Sequence, residues 1–92
     1  MAAKTDPPTL SAFLERSNAP TDSSLDRLDV ADLPPPQPLT KTLEHLADLD
    51  GGVLVQFNDR APKHLYPKLN ERGFRYETEE IAGRIVTLIW RG

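Results

Sequence analysis

Large apolar residues are sparse at the start of the chain and become periodic only from Leu25 onward. After Met1 and before Ser24 the large apolar residues are Leu10, Phe13 and Leu14. These are too few to offset an ordering entropy of roughly 1–2 kcal/mol per residue, so residues 1–24 are expected to form a mobile arm. Within it, Leu10, Phe13 and Leu14 fall at i, i+3 and i+4, the spacing of a short amphipathic helix that is marginal in water and needs a surface to dock on. Leu25, Leu28 and Val30 then predict a short strand. Leu33-Pro34-Pro35-Pro36-Gln37-Pro38 cannot continue it, because proline supplies no ladder N–H, and reads as a rigid extended lead-in. Pro38 suits the first turn of a helix carrying Leu39, Leu43, Leu46 and Leu49 at helical spacing and ended by Gly51-Gly52. Val53-Leu54-Val55-Gln56-Phe57 is a continuous β-forming run and predicts a buried central strand. Residues 58–63 follow as a turn, and a second helix runs from about His64 to Arg72 with Leu65 and Leu69 inward and Gly73 at its end. Pro67 must either lie in the first turn of that helix or kink it. Phe74 to Thr78 and Arg84 to Arg91, joined through residues 79–83, predict an antiparallel hairpin.

The order β-α-β-α-β-β gives an α/β two-layer sandwich of the α+β kind, a four-stranded mixed sheet with both helices on one face. Residues 25–92 are its domain and residues 1–24 its arm. Strand alternation assigns Val53, Val55 and Phe57, with Val86, Leu88 and Trp90, to the helix side. It leaves Leu54, Ile85 and Ile89 on an open face. An apolar strip there is costly to hydrate, at about 25 cal/mol per Å², and calls for a cover: the arm, through Phe13 and Leu14, a second copy of the chain or a different protein. Because the arm has little apolar content, a protein partner or a homodimer through the open sheet face is the expectation.

Composition narrows the function more than it names one. A chain of 92 residues, 38% hydrophobic, holds one modest core. The absence of cysteine excludes disulfides, thiolate metal sites and any thiol relay carried by this chain. Charge is uneven: Asp6, Glu15, Asp22, Asp26, Asp29 and Asp32 outnumber Lys4, Arg16 and Arg27 up to residue 35, whereas acids and bases balance beyond it. A net charge of −3 argues against nucleic-acid binding that neutralises phosphates. No apolar run reaches the roughly 20 residues that span a bilayer, and the start lacks the apolar stretch of a signal peptide, which predicts a cytoplasmic protein without membrane contact.

Leu28-Asp29-x-x-x-Leu33-x-Pro35-Pro36-Gln37-Pro38, followed by a Leu-rich helix, a Gly, a Val/Leu strand and an Asn/Asp turn, resembles the TusA/SirA-like sulfur carriers. Their signature is a Leu-Asp strand, a Cys-Pro-x-Pro motif and the same element order. The resemblance runs from about Leu25 to Arg91. Leu33 to Leu39, with Leu65-Tyr66-Pro67 and Arg72-Gly73-Phe74, is similar to a cysteine-less branch known only as an uncharacterised domain. In the sulfur carriers the Cys stands at a helix N-terminus, where free N–H groups stabilise a thiolate or persulfide. Here that position is Pro35, so the resemblance implies the fold without the sulfur chemistry.

The remaining candidates for chemistry each have a structural reading. His45 reads as a surface histidine, and His64, near Asp59 and Tyr66, has no close ligand partner in sequence that would make a metal site. Glu77, Glu79 and Glu80 read as a solvated face that protects a sheet edge. Pro35-Pro36-Gln37-Pro38 has the form of a PxxP ligand but suits a strand-to-helix connector. The two segments that precede helices come together at one end of the sheet. The expected site is therefore a ridge of Pro34, Pro35 and Gln37 beside a turn of Asn58, Asp59, Arg60, His64 and Tyr66. The reading that follows is a small non-catalytic binding or adaptor domain with no cofactor and no metal. Its alternatives are a cofactor- or metal-dependent redox accessory using His64 and Asp59, and an RNA-binding module, the latter opposed by charge and by an aromatic content of 7%.

Overall fold

A computed structural model describes residues 10–20, 24–49 and 51–91. Its elements run α1 (Leu10–Arg16), β1 (Leu25–Asp29), α2 (Gln37–Ala47), β2 (Val53–Asn58), α3 (Leu65–Glu71), β3 (Phe74–Ile81) and β4 (Arg84–Arg91). The four strands form one mixed sheet in the order β1-β2-β4-β3, with β1 parallel to β2 and the other two pairings antiparallel. This is the expected α+β sandwich, with a third helix added. Among the described residues no helix is long and apolar enough to cross a membrane.

Local chemistry accounts for each boundary. Pro38 occupies the second position of α2, where no intrahelical N–H is required. Pro67 is the third residue of α3 and lies in the first turn, so it breaks no hydrogen bond and no kink results. Gly52, at φ +84°, sits against the start of β1: an added Cβ would lie 2.7 Å from the Ser24 carbonyl oxygen, to which Val53 N–H donates at 2.9 Å. The hairpin is tighter than its sequence suggests. β3 continues through Glu79 and Glu80 to Ile81, and the reversal is made by Ala82 and Gly83 alone, at φ +53° and +80°. Positive φ at both central residues is the turn whose twist matches that of paired strands.

The sheet buries both faces. On one, Leu54 and Ile89 pack with Leu46 of α2, Leu65 and Leu69 of α3, and Phe74, with Leu28, Leu39 and Leu43 at the margin. On the other, Val53, Val55, Val86, Leu88 and Trp90 pack with Phe13 of α1 and Ala19. The assignment of faces expected from alternation is thus inverted: Leu54 and Ile89 meet α2 and α3, and the Val53, Val55 and Phe57 side meets α1. Both parities of β2 and β4 are apolar, so hydrophobicity does not discriminate between them. The polar residues do. Gln56 shares the parity of Leu54 and finds its hydrogen-bond partner in Thr42 of α2, at 2.8 Å. The strip of Leu54, Ile85 and Ile89 is consequently no open face: Leu54 and Ile89 are fully buried and Ile85 is half-buried.

Of the expected arm, residues 1–9 and 21–23 lie outside the described residues, whereas Leu10 to Pro20 lie on the sheet. Phe13 is 3% exposed. Glu77 and Glu79, expected as solvated acids, point to the α1 side of β3 and hold the segment: Arg16 forms an ion pair with Glu79, and Asn18 donates from both N and Nδ2 to Glu77 Oε2 at 2.9 and 3.0 Å. Burial of Phe13 predicts that Phe13→Ala destabilises the chain by about 3 kcal/mol, the low end for buried Phe truncations because a seven-residue helix can detach locally. Thermal unfolding should register it as a loss of several degrees, and an unchanged melting temperature would show α1 to be energetically idle. In the opposite direction, Ala82→Gly relieves a left-handed backbone at a β-carbon-bearing residue and should raise stability by about 0.5–1 kcal/mol in the same measurement.

Candidate functional site

At the carboxyl end of β1 and β2, the two segments that enter α2 and α3 face each other across an open cleft of about 780 Å³. The first segment descends from β1. Val30 extends the parallel ladder by one bond, its N–H donating to the Phe57 carbonyl at 2.9 Å, and is itself fully buried. Leu33 N–H then closes a turn onto the Val30 carbonyl at 3.2 Å. The Pro35–Pro36 peptide bond is cis, and beyond it Gln37 N–H donates back to the Pro34 carbonyl at 2.9 Å. Of the backbone groups from Pro34 to Pro38 only Gln37 carries an N–H, and this bond uses it. The entrance of α2 is therefore poor in free donors, the opposite of an anion cradle. The second segment leaves β2 at Asn58, whose Oδ1 accepts from Asp59 N–H at 2.7 Å, and turns through Ala61 and Pro62 into α3.

The cleft brings together Pro35, Asn58, Asp59, Arg60 and His64 of the expected site. Pro34 and Gln37 are exposed on the adjoining ridge and do not line it. Tyr66 is directed elsewhere: its ring stacks on Tyr76 at 4.7 Å, and its hydroxyl lies 2.6 Å from Thr78 Oγ1, tying α3 to β3. Chain pattern alone did not single out Ala31, Leu33, Pro38 and Leu39 on one wall, Lys63 on the other, or Gln56 at the floor. The signal for Gln56 is a single amide within the run Val53 to Phe57, which otherwise has the composition of a strand interior. His45 belongs to another place, half-buried on α2 with Nε2 3.4 Å from Asp26 Oδ2 of β1. Among the described residues no group of three His, Cys, Asp or Glu side chains comes together that could hold a metal ion.

Charge at the cleft is peripheral. Asp59 and Arg60 form an exposed pair at 3.5 Å, with side chains 58% and 81% accessible, and so contribute little to stability. A tighter pair anchors the base of the first segment. Arg84 Nη2 of β4 reaches Asp29 Oδ2 at 2.5 Å, while its guanidinium lies 5.2 Å from the Phe57 ring centre, bridging β1 and β4 over β2. The Arg84 hydrogen bond, and next the Ala31 N–H that donates to Asp29 Oδ1 at 3.0 Å, hold the Asp29 carboxyl below the usual carboxylate range. A lowered folded-state pKa stabilises above the unfolded value and loses that contribution as pH falls through the folded one. Asp29→Asn should therefore melt below the wild type at neutral pH. The gap should close as pH is lowered beneath about 3.8, and a gap independent of pH would assign the loss to packing instead.

No curated protein and no solved structure matches the chain. The family model described as an uncharacterized conserved protein, DUF2249, matches residues 27–91, from within β1 to the end of β4. That span contains both walls of the cleft and its floor and leaves α1 outside. The chain belongs to the DUF2249 family.

Proposed function

We propose that this chain is a non-catalytic binding domain whose recognition element is the cleft between the proline segment and the β2–α3 turn. The observation that carries the reading is the construction of that cleft. Two segments distant in sequence, each entering a helix, converge on apolar walls made by Leu33, Pro38, Leu39 and Leu65, with polar groups confined to the floor and rim. Concave, mostly apolar sites with a few placed polar groups are the usual form of small-ligand pockets, and the carboxyl ends of strands are their usual position in sheets with helical crossovers. Kinship with the TusA/SirA-like sulfur carriers is part of the proposal. The element order and the proline-bounded entrance to α2 support it, and Pro35, standing where the carriers have their Cys, implies a scaffold kept for binding after loss of the thiol.

Titrating the ¹⁵N-labelled full chain with a set of small uncharged ring compounds at millimolar concentration tests the reading. Amide shifts should concentrate in residues 31–39 and 58–65. Ala61→Trp, which fills the cleft from a half-buried position on its wall, should abolish them while leaving the spectrum dispersed. Shifts falling on the β1 edge or on the α1 side of the sheet, or surviving in Ala61→Trp, would overturn the proposal.

A further inference from the structure

The floor of the cleft carries a polar group that the fold does not satisfy. Gln56 is 1% exposed, its Nε2 donates to Thr42 Oγ1 at 2.8 Å, and its Oε1 is buried without any hydrogen-bond partner. The orientation of this amide is fixed by its neighbour. The Thr42 hydroxyl donates to the Pro38 carbonyl at 2.7 Å, so its oxygen is left only to accept, which sets the Gln56 NH₂ against Thr42 and makes the carbonyl oxygen the unused end. A buried acceptor with no donor is destabilising, and a Leu or Met at this position of the strand would avoid the cost. Gln56 is among the residues that line the cleft, and because Oε1 itself is closed to solvent, a donor supplied by a ligand meets it once the side chain turns toward the opening. Two residues along the same face of β2, Asn58 is 5% exposed. Its Oδ1 is taken by Asp59 N–H, which leaves Nδ2 as the group with hydrogen-bonding capacity to spare.

An acceptor and a donor on one strand face, between apolar walls and away from the exposed charges of the rim, complement the edge of a neutral cyclic amide. We infer that the cleft takes a small lactam- or imide-type ring. Its N–H donates to Gln56 Oε1, its ring lies against Leu33, Pro38 and Leu39, and Asn58 Nδ2 is the donor available to the ring carbonyl. The inference rests on the cleft being the recognition element and adds the class of ligand. No charge on the ligand is required, because the floor holds two carboxamides and no ionisable group.

A matched pair of probes separates the two layers of the argument. In amide-shift titrations of the full chain, piperidin-2-one should perturb the Gln56 side-chain NH₂ and the amides of Ala31, Leu33, Asp59 and Leu65. N-methylpiperidin-2-one, which keeps the ring and carbonyl but has no N–H, should bind about tenfold more weakly, the worth of one hydrogen bond. Gln56→Met retains length and apolarity and should bring the two probes to within about twofold of each other. Equal affinity of the two probes at the cleft of the wild type, as expected if the floor needs only a water, would overturn the ligand class while leaving the cleft as a binding site. Discrimination that persists in Gln56→Met would do the same. Failure of both probes to reach the cleft would overturn the cleft itself, and the wild-type comparison decides the matter even if the variant does not fold.

Discussion

A strand buried on both faces obliges the chain to supply cover on each side of its sheet. β2 is such a strand: from Val53 to Gln56 every side chain is buried, although the two crossover helices among the described residues, α2 and α3, lie on one face. The β1-α2-β2 crossover brings α2 to one side of the sheet, and α3 joins it there. The opposite face, built of Val53, Val55, Val86, Leu88 and Trp90, falls to the short α1, which succeeds with one well-placed aromatic, Phe13, and polar attachments at its end. Everything else in the molecule is arranged around this requirement. β4 lies beside β2 and shares its double burial, while the more exposed β1 and β3 are relegated to the edges.

Most of the architecture was legible in the sequence because local chemistry and tertiary placement agree. The order of elements, the central run Val53 to Phe57, the proline at the entrance of α2, the Gly73 stop and the hairpin all follow from residues whose backbone preferences leave few alternatives. The parity of the sheet was not legible, since Val53, Val55 and Phe57 on one side and Leu54 on the other are equally able to enter a core. A single polar residue, Gln56, carried the distinguishing information, and its meaning depends on Thr42, fourteen positions earlier on another element. The role of Glu77 and Glu79 was hidden for a similar reason. Alternating acids on an edge strand look like solvation until Arg16 and Asn18 are brought against them from the other end of the chain.

The cleft divides along the same line. Pro35, Asn58, Asp59, Arg60 and His64 could be anticipated, because segments that follow neighbouring parallel-type strand ends and precede helices must emerge at the same edge of a sheet. Pro34, Gln37 and Tyr66 share those segments but not their direction, and direction is set by details that no spacing rule contains: the bond from Gln37 back to Pro34, and the stacking of Tyr66 on Tyr76. The wall residues Ala31, Leu33 and Leu39 are ordinary apolar residues until two loops are folded against one another. A cleft of this kind is a property of the juxtaposition rather than of either segment.

The position of α1 also bears on how the chain matures as it is made. Its anchors, Glu77 and Glu79, lie some sixty residues later, as the separation of 59 between Asn18 and Glu77 records, and the strand that completes its seat, β4, follows the other described elements. During synthesis α1 leaves the ribosome before any strand of the sheet, yet its docking surface exists only once β4 has paired between β2 and β3. Contacts of such long sequence separation close late because loop-closure entropy must be overcome before they are rewarded. The Val53, Val55 and Trp90 face is therefore shielded later than the face that α2 and α3 cover, and the interval before it closes is when association with other chains competes most directly with folding.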